Sequence, residues 1–370
     1  MYGAQLIEAL RHVFAPTGVE FFGVGGQRMR AAGCDLVVDS RDLAVVGITE
    51  ILSHLPKIWG RFHLLIAEAR RRKPDLAVVI DSPAFNWRVA REMKKAGVPV
   101  VYYVCPQFWA WRQGRVRFLR KYVDLALVIF PFEEQFYSRH GVKTKFVGHP
   151  LAELPRPSGS RSDYARVHGF DSSKAWITIM PGSRVKEVAM NLPGILEAAS
   201  LMGSDFEFLL PVAATLDGKF LQERIASRER ASLPRIHLVQ GALPALVHSR
   251  AGIIASGTAT VEAALMETPF VMVYRVTPLT YWLGRYTVKV PHFAMVNLIA
   301  GEQVVPELVQ QEFTGTRVTA ELSKVIRDGP WRENMQQGLR RVRTLLHGEA
   351  NSSLEPAGRA AQEIAELVRH

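Results

Sequence analysis

From Leu76 to Ile80 the chain runs through five apolar residues, LAVVI, with Pro74-Asp75 before them and Asp81-Ser82-Pro83 after. A short unbroken apolar run between turn residues marks a parallel strand covered on both faces. Comparable β-branched or aromatic runs recur at Glu20–Val24, Val98–Val104, Leu125–Phe130 and Thr144–Val147. Between them the apolar positions fall at helical spacing in Tyr2–Val13, Ile51–Arg72, Trp87–Ala96 and Phe132–His140. This alternation predicts a doubly wound α/β sheet. The pattern breaks at Gly148–Arg161, GHPLAELPRPSGSR, whose Pro, Gly and Ser residues read as a linker. A second series of strands follows at Trp176–Met180, Phe206–Pro211, Ile236–Val239, Gly252–Ala255 and Phe270–Tyr274. The pattern predicts two Rossmann-like domains facing a cleft, residues 1–150 and 151–345. A last segment, 346–370, helical over Ser353–Val368, is expected to pack back on the first domain.

Length agrees: 370 residues exceed one typical core and suit two. No apolar run reaches eighteen residues, and the first twenty lack the apolar core of an export signal. Two cysteines, Cys34 and Cys105, make no disulfide framework and fit a reducing cytoplasm. Charge changes the picture more. The formal net charge is +11, and residues 1–150 hold 22 Lys and Arg against 13 Asp and Glu. A basic half points to nucleic acid, an anionic membrane surface or a phosphorylated substrate.

Ligands of such sheets bind beyond the C-terminal strand ends, so three strand-end loops matter most. Asp81 follows the strand ending at Ile80, a place for a cleft carboxylate able to accept a proton; a helix-cap or turn aspartate is the ordinary alternative. Pro181-Gly182-Ser183-Arg184 lies between a strand and a helical pattern opening at Val185. There glycine allows close backbone approach, the helix start offers free N–H groups to phosphate, and Arg184 adds a bidentate cation. Ser256-Gly257-Thr258 is a second turn of this type, with Glu262 one helical turn on as an acceptor for ribose hydroxyls. Phe22-Gly23-Val24-Gly25-Gly26 imitates a dinucleotide fingerprint, but Arg28 stands where the third glycine belongs. No His, Cys and Asp spacing suggests a metal site, and no cofactor is called for. Cys105 reads as a small apolar residue and His149 as a hydrogen-bonding residue of the linker.

Two stretches combine grease and positive charge. Pro106–Tyr122, PQFWAWRQGRVRFLRKY, places Trp109 and Trp111 ahead of five cations. Along Ile51–Arg72 a core-facing stripe runs through Ile51, Leu55, Ile58, Phe62 and Leu65, while Leu52, Trp59, Leu64 and Ile66 lie off it and Arg70-Arg71-Arg72-Lys73 closes the segment. Leu52, Trp59, Leu64, Trp109 and Trp111 are therefore expected to face lipid headgroups and acyl chains. A helix buried all round is the competing reading.

Taken together, these motifs resemble lipid-A-disaccharide synthase, a glycosyltransferase family of the GT-B fold. The resemblance runs from Gly3-Ala4-Gln5-Leu6 through Leu43-Ala44-Val45-Val46-Gly47, Ile80–Asn86, Trp109-Ala110-Trp111-Arg112, Pro131-Phe132-Glu133, Pro181–Arg184 and Ser256–Glu262 to Asn297–Gly301 and Val305-Pro306-Glu307-Leu308. It implies inverting transfer of 2,3-diacylglucosamine from UDP to 2,3-diacylglucosamine 1-phosphate, without metal, at the anionic cytoplasmic face of the inner membrane of a Gram-negative bacterium. On it, Asp81 is the candidate base. Ser183, Arg184, Ser256, Gly257 and Thr258 hold the diphosphate, Glu262 binds ribose and Asn297 lines the donor site.

Two departures from the family pattern stand out. Ala84 replaces a second acidic residue, which leaves more weight on Asp81. The family also opens with a strand and a Gly-Glu-x-Ser-Gly-Asp loop, whereas Met1–Leu6 matches the helix after them, so the first strand of the N-terminal domain appears as missing and a native start further upstream is expected. Rival functions are a nucleotide-sugar epimerase of the same fold and a basic nucleic-acid-binding protein. The cations cluster beside apolar helix faces and no recognition module is present, so nucleic acid is not the expected partner.

Overall fold

In the computed structural model the chain is described over residues 2–15, 17–43, 48–153, 155–227, 234–278, 280–282, 290–348 and 354–369, without the side chains of 48–55. It divides into two compact units, Met1–Glu153 with Leu346–His370, and Leu154–Leu345.

In the first unit, β1 (Phe21–Gly25) pairs in parallel with β2 (Cys34–Asp39) as a two-stranded sheet. A separate four-stranded parallel sheet has the order β3 (Ala77–Ile80), β4 (Val100–Tyr103), β5 (Leu125–Val128), β6 (Thr144–Phe146). Among the described residues β1 pairs only with β2 and β3 only with β4, so each keeps one unpaired edge. Every residue of β4 and β5 is buried, which their unbroken apolar runs require. Helix α1 (Tyr2–Val13) buries Gly3, Leu6, Ile7 and Leu10, the stripe of a one-sided helix. It packs against the C-terminal helix Pro356–Arg369, which thus belongs to this unit. Arg359 anchors that return: its guanidinium donates to the carbonyls of Val147 (2.8 Å), Leu354 (2.7 Å) and His347 (2.6 Å).

The second unit is one six-stranded parallel sheet ordered β12 (Glu307–Val309), β11 (Phe270–Tyr274), β10 (Ala251–Ala255), β7 (Ala175–Met180), β8 (Phe206–Pro211), β9 (Ile236–Val239). From β7 the chain steps outward to β8 and β9, then returns to the other side of β7 for β10, β11 and β12. The reversal places a topological switch point between β7 and β10. Helix starts are set locally: the Ser160 hydroxyl accepts from the Asp163 N–H at Arg161–His168, and Thr314 does the same for Arg317 at Gly315–Ile326.

Candidate active site

Strands β7 and β10 are hydrogen-bonded neighbours in register Ile254 to Met180, so the loops leaving their C-terminal ends lie side by side at the switch point. These are the two turns expected to bind anions. Gly182 has φ +123° and Gly257 φ +137°, regions that side chains with a Cβ avoid. A Cβ on Gly182 would also meet the Glu187 Cβ at 2.6 Å. Helix α8 (Val185–Met202) opens from the first turn and α11 (Thr258–Leu265) from the second, which directs both N-terminal dipole ends to the same place.

Ser183 and Arg184 are exposed, and the Arg184 side chain is 81% accessible. The amides at this helix start are served by Glu187: its Oε2 accepts from Ser183 N (3.0 Å) and Arg184 N (3.3 Å), and its Oε1 pairs with Arg184 Nη1 at 2.8 Å. Ser256 donates to the Phe293 carbonyl at 2.8 Å, and Thr258 is exposed. Glu262 is half-buried, desolvation raises its carboxyl pKa, and among the described residues no donor reaches it. A half-buried carboxylate without a donor is poised to accept from a hydroxyl.

In the first unit, Asp81 sits at the C-terminal end of β3 with its carboxylate exposed. Its backbone is left-handed, φ +48°, as are the next residue Ser82 (+43°) and, after the neighbouring strand β4, Val104 (+57°). Each non-glycine residue held there costs roughly 1–3 kcal/mol, and such strain gathers where function needs it. Asp81 does not act as a helix cap. Helix α4 (Pro83–Lys95) has Ser82 as its N-cap, without a side-chain hydrogen bond.

On the apolar face, Trp59 is 50% and Leu64 45% exposed on α3 (Ile48–Arg72), while Phe62, Leu65 and Ile66 are buried. Ile66 therefore joins the core side, and the side chain of Leu52 lies outside the described residues. Trp59 has the Arg88 guanidinium 5.8 Å from its ring centre, and Trp111, 46% exposed, has Arg112 at 4.5 Å. Trp109 is a correction. It is 6% exposed, meets Phe132 edge-on at 4.9 Å, and donates its indole N–H to Glu133 Oε1 at 2.8 Å. It belongs to the interior, not to a lipid face.

Asn297 is the second correction. It is fully buried, its Nδ2 donates to Val305 O (2.9 Å) and Glu307 Oε1 (2.7 Å), and its Oδ1 accepts from Val304 N (2.8 Å) and Val305 N (2.9 Å). With its amide fully spent it holds the turn before β12 and has nothing left for a donor substrate.

A model of the lipid-A-disaccharide synthetase family matches residues 1–362. The chain belongs to this family. The lipid-A-disaccharide synthase of Koribacter versatilis (strain Ellin345) is 52% identical over 370 residues, covering 100% of this chain and 96% of that protein. That of Acidobacterium capsulatum is 46% identical over 373 residues, covering 98% and 93%. Among solved structures, the calicheamicin glycosyltransferase CalG4 aligns with a TM-score of 0.57 at 16% identity, over 99% of this chain and 94% of that one. A putative UDP-N-acetylglucosamine 2-epimerase from Listeria monocytogenes aligns at 0.62 and 13%, over 99% and 91%. These likenesses show a GT-B fold that transferases and epimerases share. Membership of the lipid-A-disaccharide synthase family decides between them: the protein is a glycosyltransferase that forms the lipid A disaccharide from a nucleotide-sugar donor and a phosphorylated acceptor.

Glu133, in the Pro131-Phe132-Glu133 stretch, is a buried hydrogen-bonding centre of the first unit. It is 1% exposed, takes Trp109 on Oε1, and takes the amides of Ile129 (3.3 Å) and Phe130 (3.1 Å) on Oε2. Burial pushes its carboxyl up to about 7 against those three bonds. Cys105, beside it, is buried and its thiol is pushed well up, which removes it as a nucleophile. His149 is buried, accepts from Leu151 N at 3.1 Å, and is held neutral with a pKa lowered to about 4 by burial. Among the described residues no helix is long and apolar enough to cross a membrane.

Proposed function

We propose that the enzyme transfers 2,3-diacylglucosamine from UDP to the 6-hydroxyl of 2,3-diacylglucosamine 1-phosphate, with inversion, while resting on the anionic cytoplasmic face of the inner membrane. The observation that carries the donor half is the pair of glycine turns at the switch point, beside a half-buried Glu262 that no donor among the described residues satisfies. There the amides of the first turn, Ser183, Arg184 and the Ser256–Thr258 turn meet the diphosphate, and Glu262 accepts from the ribose hydroxyls.

In the reaction the Asp81 carboxylate takes the proton of the acceptor 6-hydroxyl as its oxygen attacks the anomeric carbon. The bond from that carbon to the diphosphate breaks on the opposite face, which inverts the centre. Negative charge grows on the leaving oxygen, where Arg184 and the helix dipoles stabilise it. Trp59, Leu64 and Trp111, each exposed and two of them beside an arginine, supply the apolar and cationic contacts that acylated, phosphorylated substrates and their bilayer demand.

The test is incubation with UDP-2,3-diacylglucosamine and the acceptor 1-phosphate, followed by mass detection of UDP and the disaccharide 1-phosphate. Absence of both products overturns the reading. In Asp81→Asn, turnover falls by roughly 10²–10⁴-fold while UDP binding is kept; near-normal turnover would remove Asp81 from the base role.

A further inference from the structure

The carbonyl of Asp81 is the most heavily held group at the C-terminal end of β3. It accepts from the Tyr102 hydroxyl at 2.8 Å and from Asn86 Nδ2 at 2.7 Å, which fills both lone pairs. The second hydrogen of the same Asn86 amide goes to the Ile80 carbonyl at 2.8 Å. On the other side of the peptide unit, Asp81 N still donates to Tyr103 O at 3.1 Å, as a ladder residue does. The residue is thus tied to the sheet by its N–H and pulled out of it by its carbonyl. Releasing that pull would leave the left-handed backbone of Asp81 without the two side-chain bonds that offset its strain.

We propose that Tyr102 and Asn86 are positioning residues for the transfer reaction, clamping the Asp81 backbone in its left-handed conformation so that the carboxylate points away from the sheet toward the acceptor hydroxyl. The inference rests on Asp81 being the base. Neither clamp residue needs to touch substrate. Tyr102 is fully buried in the central strand β4, one position before Tyr103, which lies opposite Ile80 in the ladder, so its hydroxyl arises from the strand next to the one it holds. Burial also raises its hydroxyl pKa, which keeps it a donor at any pH the protein meets. Asn86 lies in the first turn of α4, so the helix that follows the kink carries the amide that maintains it.

Tyr102→Phe preserves the packed ring and removes one bond. Its kcat should fall about 10-fold, the equivalent of about 1.4 kcal/mol, with KM for both substrates within about twofold. Asn86→Ala removes two bonds and should cost about 30–100-fold in kcat. Thermal melts establish that both variants are folded. The deciding measurement is a double-mutant cycle in which Tyr102→Phe is made in the Asp81→Asn background and residual turnover is read at high enzyme concentration. A clamp that works through the carboxylate has nothing left to position there, so the second substitution should change the rate by less than about twofold. The same 10-fold loss in both backgrounds, or wild-type kcat in both folded single variants, overturns the proposal. Full activity of Asp81→Asn alone would overturn the base assignment itself, a different result from additivity in an impaired background.

Discussion

Glu133→Gln should remove one buried carboxyl's contribution to the pH dependence of the first unit's stability. In the folded protein the Glu133 carboxyl titrates at about 7, against 4.5 ordinarily, because burial disfavours its charged form. The folded state therefore binds a proton in the window between 4.5 and 7 that the unfolded chain has released. Stability from this group is complete below about pH 4.5 and is lost as pH rises through 7. Integrating the two titrations gives a loss of about 2.5 kcal/mol between pH 5 and pH 8. Glutamine stays neutral throughout, so the stability difference between variant and wild type should move toward the variant by that amount. The neighbours stay silent over this range: burial raises the Cys105 and Tyr137 pKa values, and His149 is already neutral with a pKa of about 4. In a urea titration followed by tryptophan fluorescence at both pH values, the difference of differences reads Glu133 alone. In a thermal scan it corresponds to a relative midpoint shift of about 5–10 °C for a unit of this size. A difference that moves by less than about 0.5 kcal/mol between the two pH values would refute the assignment of a buried, largely neutral carboxyl.

Arg184→Ala should weaken UDP binding and slow transfer together, since the side chain meets charge that grows on the departing diphosphate; calorimetry showing unchanged UDP affinity would confine Arg184 to its ion pair with Glu187. Asn297→Ala should cost roughly 2–5 kcal/mol of stability by stranding the amides of Val304 and Val305, yet leave the UDP affinity of folded molecules unchanged. Selective loss of UDP affinity without a lower melt would return Asn297 to the donor site. Trp59→Ser combined with Leu64→Ser should reduce co-flotation with anionic liposomes while the melting temperature stays within a few degrees, because both side chains are half-exposed. Undiminished flotation would take this face off the membrane.

Patterning along the chain carried the fold class and ten of the strands, because parallel strands buried on both faces must be continuously apolar. It missed β2 and β12. Cys34–Asp39 carries aspartate at Asp35 and Asp39 and lies on a partly exposed sheet, and Glu307–Val309 is three residues long, too short to show a period. The two glycine turns were legible because a backbone at positive φ between a strand and a helix calls for glycine locally. What local pattern could not supply was adjacency: that β10 lies beside β7, and so brings Gly257 next to Gly182, depends on strand order, which sequence separation hides.

The same limit explains the corrections. Trp109 and Trp111 stand two residues apart in one aromatic, basic stretch, and nothing local distinguishes them. Trp109 turns inward because Glu133, twenty-four positions later, brings a buried carboxyl whose Oε2 already serves two amides and whose Oε1 lies within reach of the indole N–H. Asn297 has the polarity of a ligand-binding residue, but Val304, Val305 and Glu307 consume its amide. For Asp81 the chain showed a carboxylate at a strand end, while the left-handed backbone and its clamp by Tyr102 required the neighbouring strand to be in place. Sequence by itself determined most of the strands and helices and the residue types of the strand-end loops, since those follow from short-range periodicity and turn chemistry. Tertiary structure alone decided which polar groups are already satisfied by distant partners and which remain free to meet a substrate, because a hydrogen bond depends on distance in space rather than along the chain.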